Sequence, residues 1–430
     1  MQHKSSIITF SCWLLTYLLT AQSVDGISSG EVKQLLKKLN ILGSVLYVAA
    51  HPDDENTRLI AYYANEKLFN TAYLSATRGD GGQNLIGPEI RENLGLIRTH
   101  ELLAARQIDG GTQFFSRAND FGYSKNPDET LSIWDKEKVL EDFVRVIRTV
   151  KPDVIITRFN TISGITHGHH TTSALLALEA FDLAGDSSVY PDQLRTLEVW
   201  QPKKLFWNTS SWFYSNNQIK FNPEGLYSIN VGTYNPYLGI SYTEMAAQSR
   251  SMHKSQGFGS TGSRGDELEY LELLRGDSTG NDVFGGIDTT WERVEQSQKI
   301  AQFLSDAQEV YEAEYPKPAL NYLLKAREEL LKMSDQYWKE VKLDEINQAI
   351  MAITGTHLEV VADDYSYVRG ARIKLSIEAI NRLDFPIELV GLTIEPWGFN
   401  VELDQAMHFN QKIVNAVSYT HLTLPTNREV

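Results

Sequence analysis

Over the first 260 residues, short uninterrupted apolar runs alternate with segments in which apolar residues recur every three or four positions. Val45-Leu46-Tyr47-Val48-Ala49-Ala50 reads as a buried parallel strand, and Thr71-Ala72-Tyr73-Leu74-Ser75, Gln113-Phe114-Phe115 and Val154-Ile155-Ile156-Thr157 read as further strands. Helical spacing falls between them. It covers residues 31–39, the turn into Leu59, Ile60 and Tyr63, residues 89–107 with Leu94, Ile97, Leu102 and Ala105 on one face, residues 136–150, and an Ala- and Leu-rich stretch at 171–183. This alternation predicts a Rossmann-like, doubly wound α/β fold with a mostly parallel sheet.

Beyond residue 200 the pattern loosens. Aromatics and asparagines crowd 207–242 around a weak strand signal at 225–231, and a helix from near Tyr242 closes at His253-Lys254-Ser255-Gln256. Residues 261–290, rich in Gly and Ser, are expected to be a loop or lid. Residues 291–355 read as three amphipathic helices, broken at Pro316-Lys317-Pro318 and near Ser334. In 356–417 the alternation of Arg372, Lys374, Ser376 and Glu378 with Ile373, Leu375 and Ile377 marks a half-buried antiparallel strand, the start of a β-sandwich too short to be complete. Residues 418–430 continue no pattern and resemble a translated adaptor sequence. They are read as a non-native tail on a chain whose natural form is longer, and His421 is set aside with them.

With 42% hydrophobic residues, the 430-residue chain has ample material for a packed core. A net charge of -15 and a pI of about 5.2 argue against nucleic acid or anionic membrane surfaces as partners. Lys4 precedes an uncharged, apolar-rich stretch at 5–22 with small residues around Ala21 and Ser23. That order reads as a signal peptide over 1–22, so that a secreted or periplasmic protein with no stable membrane span after cleavage is expected; an uncleaved anchor is the alternative. The single cysteine, Cys12, lies inside this stretch, so that any metal must be held by His, Asp or Glu.

Two concentrations of chemistry stand at strand ends. His51-Pro52-Asp53-Asp54-Glu55 follows the first strand, where open α/β sheets place their ligand crevice. One helical turn separates His51 from Asp54 and puts both on one face, which suits two metal ligands and leaves Asp53 free. The alternative is that the acidic residues only cap a helix. Gly164-Ile165-Thr166-His167-Gly168-His169-His170 follows the fourth strand, and His167 and His170 share a face at a helix start. A solvated histidine cluster is the plainer reading there, but a second site-forming segment at the same sheet edge favours metal. The glycine-rich loop Arg78-Gly79-Asp80-Gly81-Gly82-Gln83-Asn84 either turns the chain or offers backbone N–H groups to a substrate. On the helix after the second strand, Arg98 is either a substrate contact or an i,i+3 partner of Glu101; His253 is a helix-end candidate, and His100 and His169 read as structural or solvated.

Assembled, these residues resemble the LmbE-like or PIG-L family of zinc-dependent N-deacetylases over about 46–256. The resemblance rests on Ala50-His51-Pro52-Asp53-Asp54-Glu55, on Arg98-Thr99-His100-Glu101-Leu102, on His167-Gly168-His169-His170 and on His253-Lys254-Ser255-Gln256. It implies a deacetylase domain over about 40–260 and a Zn2+ held by His51, Asp54 and His170. It further implies Asp53 as general base, with a protonated His167 assisting at the oxyanion or the leaving amine. Arg98, Asp120 and His253 would then bind an N-acetylated amino-sugar or glycan substrate. Some members carry a tyrosine where Ile165 stands here, which makes Tyr123 and Tyr237 the candidate substitutes. Two rivals remain: a metal-dependent amidase or esterase for another substrate, and a non-catalytic carbohydrate-binding protein on the same scaffold.

Overall fold

The structure is a computed structural model and describes residues 26–215, 220–259, 261–364, 366–368, 370–394 and 399–420. The expected signal peptide and residues 421–430 of the expected tail lie outside the described residues. In chain order the first elements are α1 (Ser29–Lys38), β1 (Ser44–Ala49), α2 (Thr57–Asn65), β2 (Asn70–Ser75), α3 (Glu92–Asp109) and β3 (Thr112–Phe115). They are followed by α4 (Pro127–Ile133), α5 (Lys136–Val150), β4 (Val154–Thr157), α6 (Gly168–Leu183), β5 (Lys204–Thr209) and α7 (Ser211–Ser215). Next come β6 (Tyr227–Asn230), the two-residue pair β7 (Tyr234–Asn235) and β8 (Ile240–Ser241), α8 (Tyr242–Arg250) and β9 (Leu268–Arg275).

Local signals account for these bounds. Ser28 caps α1, accepting the Glu31 N–H while the Glu31 carboxylate takes its own, and Asp135 caps α5. Lys151, in the left-handed region at φ 48°, ends α5 just before Pro152. All residues of β1, β4 and β5 are buried, as strands covered by helices on both faces must be.

The sheet runs β3-β2-β1-β4-β5-β9-β6, with β1 to β5 parallel and β9 antiparallel to both β5 and β6. From β1 the chain steps to β2 on one side, whereas β4 pairs on the other, so that the seam between β1 and β4 is a topological switch point. The mostly parallel α/β sheet is as expected. The loop or lid expected at 261–290 is not: β9 lies inside it. Its alternation was hidden because an inward position holds a carboxylate, Glu269, which is buried against Arg58 (3.1 Å) and the Asn208 amide (3.2 Å).

Helices α9 (Gln298–Glu309), α10 (Lys317–Lys332) and α11 (Gln336–Thr354) pack with α1 around Leu36, Leu39, Leu304, Leu323 and Ile346. The buried Lys342 donates to the carbonyls of Lys38 (3.0 Å) and Ile41 (2.6 Å), and Arg293 grips Asp153 at the foot of β4 with two bonds. Strands β10 (His357–Ala362), β11 (Arg372–Ile380), β12 (Ile387–Ile394), β13 (Phe399–Met407) and β14 (Lys412–Thr420) make one three-stranded and one two-stranded sheet. Gln405 and Asn415 bond across between them at 2.9 Å. Among the described residues this falls short of a sandwich. The ladder of β14 continues through Ser418, Tyr419 and Thr420 opposite Lys374, Ile373 and Arg372, past the expected end at 417. No helix among the described residues is long and apolar enough to cross a membrane.

Candidate active site

At the carboxyl end of β1 the chain turns at His51, where the Asp54 N–H bonds back to the His51 carbonyl (3.3 Å). The Asp54 carboxylate accepts the His51 N–H at 2.7 Å and stands 3.0 Å from His51 Nδ1; its other oxygen stands 3.4 Å from His170 Nε2. The expected set His51, Asp54 and His170 is therefore brought together. His167 is the N-cap residue of α6, and its ring lies 3.8 Å from that of His170, which stacks flat on Phe159, also at 3.8 Å. One ring nitrogen each from His51, His167 and His170 fall within 4.8 Å of one another. Gly168 is required there, because a Cβ would overlap Ser124, whose carbonyl accepts the Gly168 N–H (2.7 Å).

Asp53 takes no part in these contacts and sits at φ 90°, a left-handed backbone that an aspartate rarely adopts. Four bonds hold it. Its N–H donates to Glu55 Oε2 (2.9 Å), its carbonyl accepts from Arg250 (3.3 Å), its carboxylate accepts from Arg98 Nη2 (2.8 Å), and the same guanidinium bonds the Pro52 carbonyl. Glu55 is in turn bound by His253 Nε2 (2.8 Å) and Arg106 (3.3 Å), with Asp109 and Ser249 completing the buried network.

The structure places three of the expected residues as follows. Arg98, 3% exposed, is engaged by Asp53, Pro52 and Gly79 rather than by Glu101, which instead binds Ser255 twice at 2.6 Å. Gly79 admits the guanidinium because it has no Cβ. His253, expected to bind substrate, is 0% exposed, and its Nε2 lies 2.8 Å from Glu55. His169 is also 0% exposed, which leaves the structural of its two expected readings: its Nδ1 lies 3.0 Å from His51 Nε2 and 3.8 Å from Asp120, and it stands against Trp134 and Phe121. Asp120 is buried too, yet it borders a cavity of about 450 Å³ lined by Arg78, Gly81, Arg91 and Asn119. Tyr123, 74% exposed, has its ring 5.8 Å from His167, whereas Tyr237 lies under the Lys37 ammonium. Arg106, Arg250 and the His169 contact escaped sequence reading. The one available signal was Arg106, two helical turns from Arg98 on the same helix.

Electrostatics divides the acids by role. Burial pushes the Asp53 carboxyl up to about 6, with Arg98 opposing and Asp54 and Glu55 adding to the rise. For Asp54, burial is outweighed by His170 and His51, which hold it well below the usual carboxylate range. For Glu55, burial is outweighed by His253 and Arg106, which bring it down to about 2. Burial, then His170 and His51, push His167 down to about 3, which favours the neutral imidazole over the protonated one expected.

The donor set fits a divalent metal ion. His167 Nδ1 and His170 Nδ1 are buried with no hydrogen-bond partner among the described residues, and the carboxylate of Asp54 already bridges two of the rings.

Residues 46–181 match the family model described as PIG-L, GlcNAc-PI de-N-acetylase. A mycothiol S-conjugate amidase of Streptomyces coelicolor is 28% identical over 38% of this chain and 60% of its own length. A 1D-myo-inositol 2-acetamido-2-deoxy-alpha-D-glucopyranoside deacetylase of Streptomyces scabiei is 28% identical over 38% of this chain and 55% of its own. The chain thus spans somewhat over half the length of these curated relatives. A solved N,N'-diacetylchitobiose deacetylase of Pyrococcus horikoshii is similar at a TM-score of 0.38 and 13% identity, over 64% of this chain and 95% of its own. The stretch from β1 to α6, which builds the site, is a PIG-L family domain.

Proposed function

We propose that this protein is a secreted or periplasmic zinc-dependent hydrolase that removes an acetyl group from the nitrogen of an amino-sugar conjugate or glycan. The observation that carries the reading is the division of the acids at the β1–β4 seam: Asp54 is shared by two histidines, while Asp53 is held apart and left with a raised pKa.

His51, Asp54 and His170 would hold the ion. When bound, a divalent cation there polarises an amide carbonyl and acidifies a water, to a pKa of about 7 in the case of zinc. Asp53, with a carboxyl near 6, takes a proton from the attacking water as the new C–O bond forms, and Arg98 and Glu55 keep it aimed. Neutral His167 donates a hydrogen bond to the oxygen that gains charge. Asp53 returns its proton to the nitrogen as the C–N bond breaks, giving acetate and a free amine. Asp120 and the adjoining cavity offer room for the sugar.

The name of the first Streptomyces relative favours one second reading, an amidase acting on an amide other than an acetamide. Acetate release by the purified protein from N-acetylglucosamine-type substrates, set against a panel of other amides, separates the two. Activity on the acetamides, lost with a chelator and restored by zinc, is expected; full activity with the chelator present would sink the reading.

A further inference from the structure

His169 occupies the position in the Gly168-His169-His170 turn that helical spacing turns away from its neighbours. As the second residue of α6, next to His170, it is rotated about 100° from that residue. There its Nδ1 meets His51 Nε2 at 3.0 Å, while the other nitrogen of His51 stands 3.0 Å from Asp54. The His169 ring has little freedom. Trp134 stacks on it at 5.0 Å between centroids, Phe121 abuts it edge-on at 4.3 Å, and the Trp134 indole N–H is pinned to the Asn119 carbonyl at 2.7 Å. Its remaining nitrogen, Nε2, is buried with no hydrogen-bond partner among the described residues. A buried polar atom left unmatched calls for a reason, and the contact made by the other nitrogen supplies one.

We propose that His169 is a positioning residue for His51: its Nδ1 accepts the Nε2–H of His51, fixing the tautomer in which Nδ1 of that ring keeps its lone pair for a metal ion. This rests on the reading of His51 as a ligand. Outer hydrogen-bond partners of ligating histidines set both ring orientation and basicity, and their loss weakens metal binding roughly 10- to 100-fold.

His51, His169 and Asp120 also bring ligand atoms within 4.8 Å of one another. A second ion among them is disfavoured. Asp120 already accepts the Gly122 N–H (2.9 Å), and the aromatic walls around His169 would leave the ion poorly solvated with a single carboxylate for compensation.

The test is zinc titration of the metal-free protein against a competing chelator, with stoichiometry and thermal unfolding of the metal-free form recorded in parallel. His169→Leu is expected to bind one zinc per chain roughly 10- to 100-fold more weakly than the wild type, and His169→Asn, whose amide oxygen can stand near the place of Nδ1, to recover most of the affinity. Unchanged affinity in His169→Leu, or a second zinc equivalent in the wild type that both variants lose, would overturn the proposal. If His169→Leu does not fold, long-range 15N correlation spectra of the zinc-loaded wild type decide: His51 protonated at Nε2 supports it, and protonation at Nδ1 overturns it. Full zinc affinity in His51→Ala would instead bring down the ligand assignment beneath it.

Discussion

The seam between β1 and β4 and the pair of sheets at the carboxyl end are both built from strands, but they use their residues in opposite ways. Along β1 every residue is buried, and the loop that follows compresses an imidazole and three carboxylates, each with a named partner. In β10, Leu358, Val360 and Val361 are exposed, and the buried positions in this region are few, chiefly Ile373, Ile377, Ala379, Met407 and Val417. Charge is expensive inside a protein unless paired, so that a dense polar site needs the enclosing sheet to fix its partners. The open sheets bear no such constraint, and substitution there should be cheap.

Four substitutions test that contrast, taken from the greatest consequence to the least. Replacing the free carboxylate, Asp53→Ala, should lower kcat about 10²- to 10⁴-fold with metal content unchanged. A variant that turns over normally in the same acetate assay would leave the seam without its base.

Glu55→Gln should act on stability and turnover together. It takes the charge from a group bound by His253 and Arg106 and also by the Asp53 N–H, and breaking such a buried arrangement costs about 3–5 kcal/mol. Urea unfolding measures this, and a loss below about 1 kcal/mol would mean that the network is less tightly coupled than its distances indicate.

Arg98→Lys should reduce kcat about 10- to 100-fold while KM moves little, since a point charge cannot reach both Asp53 and the Pro52 carbonyl. A rise in KM alone would return Arg98 to a substrate-binding role. At the far end of the scale, Val360→Thr should change unfolding free energy by no more than about 0.5 kcal/mol and leave turnover untouched. A larger effect on either would show that the carboxyl-terminal sheets are coupled to the seam.

What the sequence disclosed follows the same division between local and distant partners. Helix α5 falls on the expected residues because its cap and terminating proline are neighbours in the chain. His51, Asp54 and His170 are legible as a group because His51 and Asp54 follow directly on β1 and His170 lies in the first turn of the helix after β4. The hold of Arg98 on Asp53 spans 45 residues and that of His169 on His51 spans 118, so that no spacing rule reaches them. Strand β9 was hidden for a related reason: Glu269 faces inward only because Arg58 and Asn208, from other elements, are there to meet it.

The backbone at Asp53 limits which replacements are informative. At φ 90° a residue with a Cβ is strained, and aspartate and asparagine tolerate positive φ better than alanine does. Alanine therefore removes a proton acceptor and disturbs the main chain in one stroke. Asparagine keeps the shape and the torsion while withdrawing only the charge, and glycine frees the torsion while withdrawing the side chain. Read together, the three variants separate proton transfer from backbone geometry, which no one of them does alone.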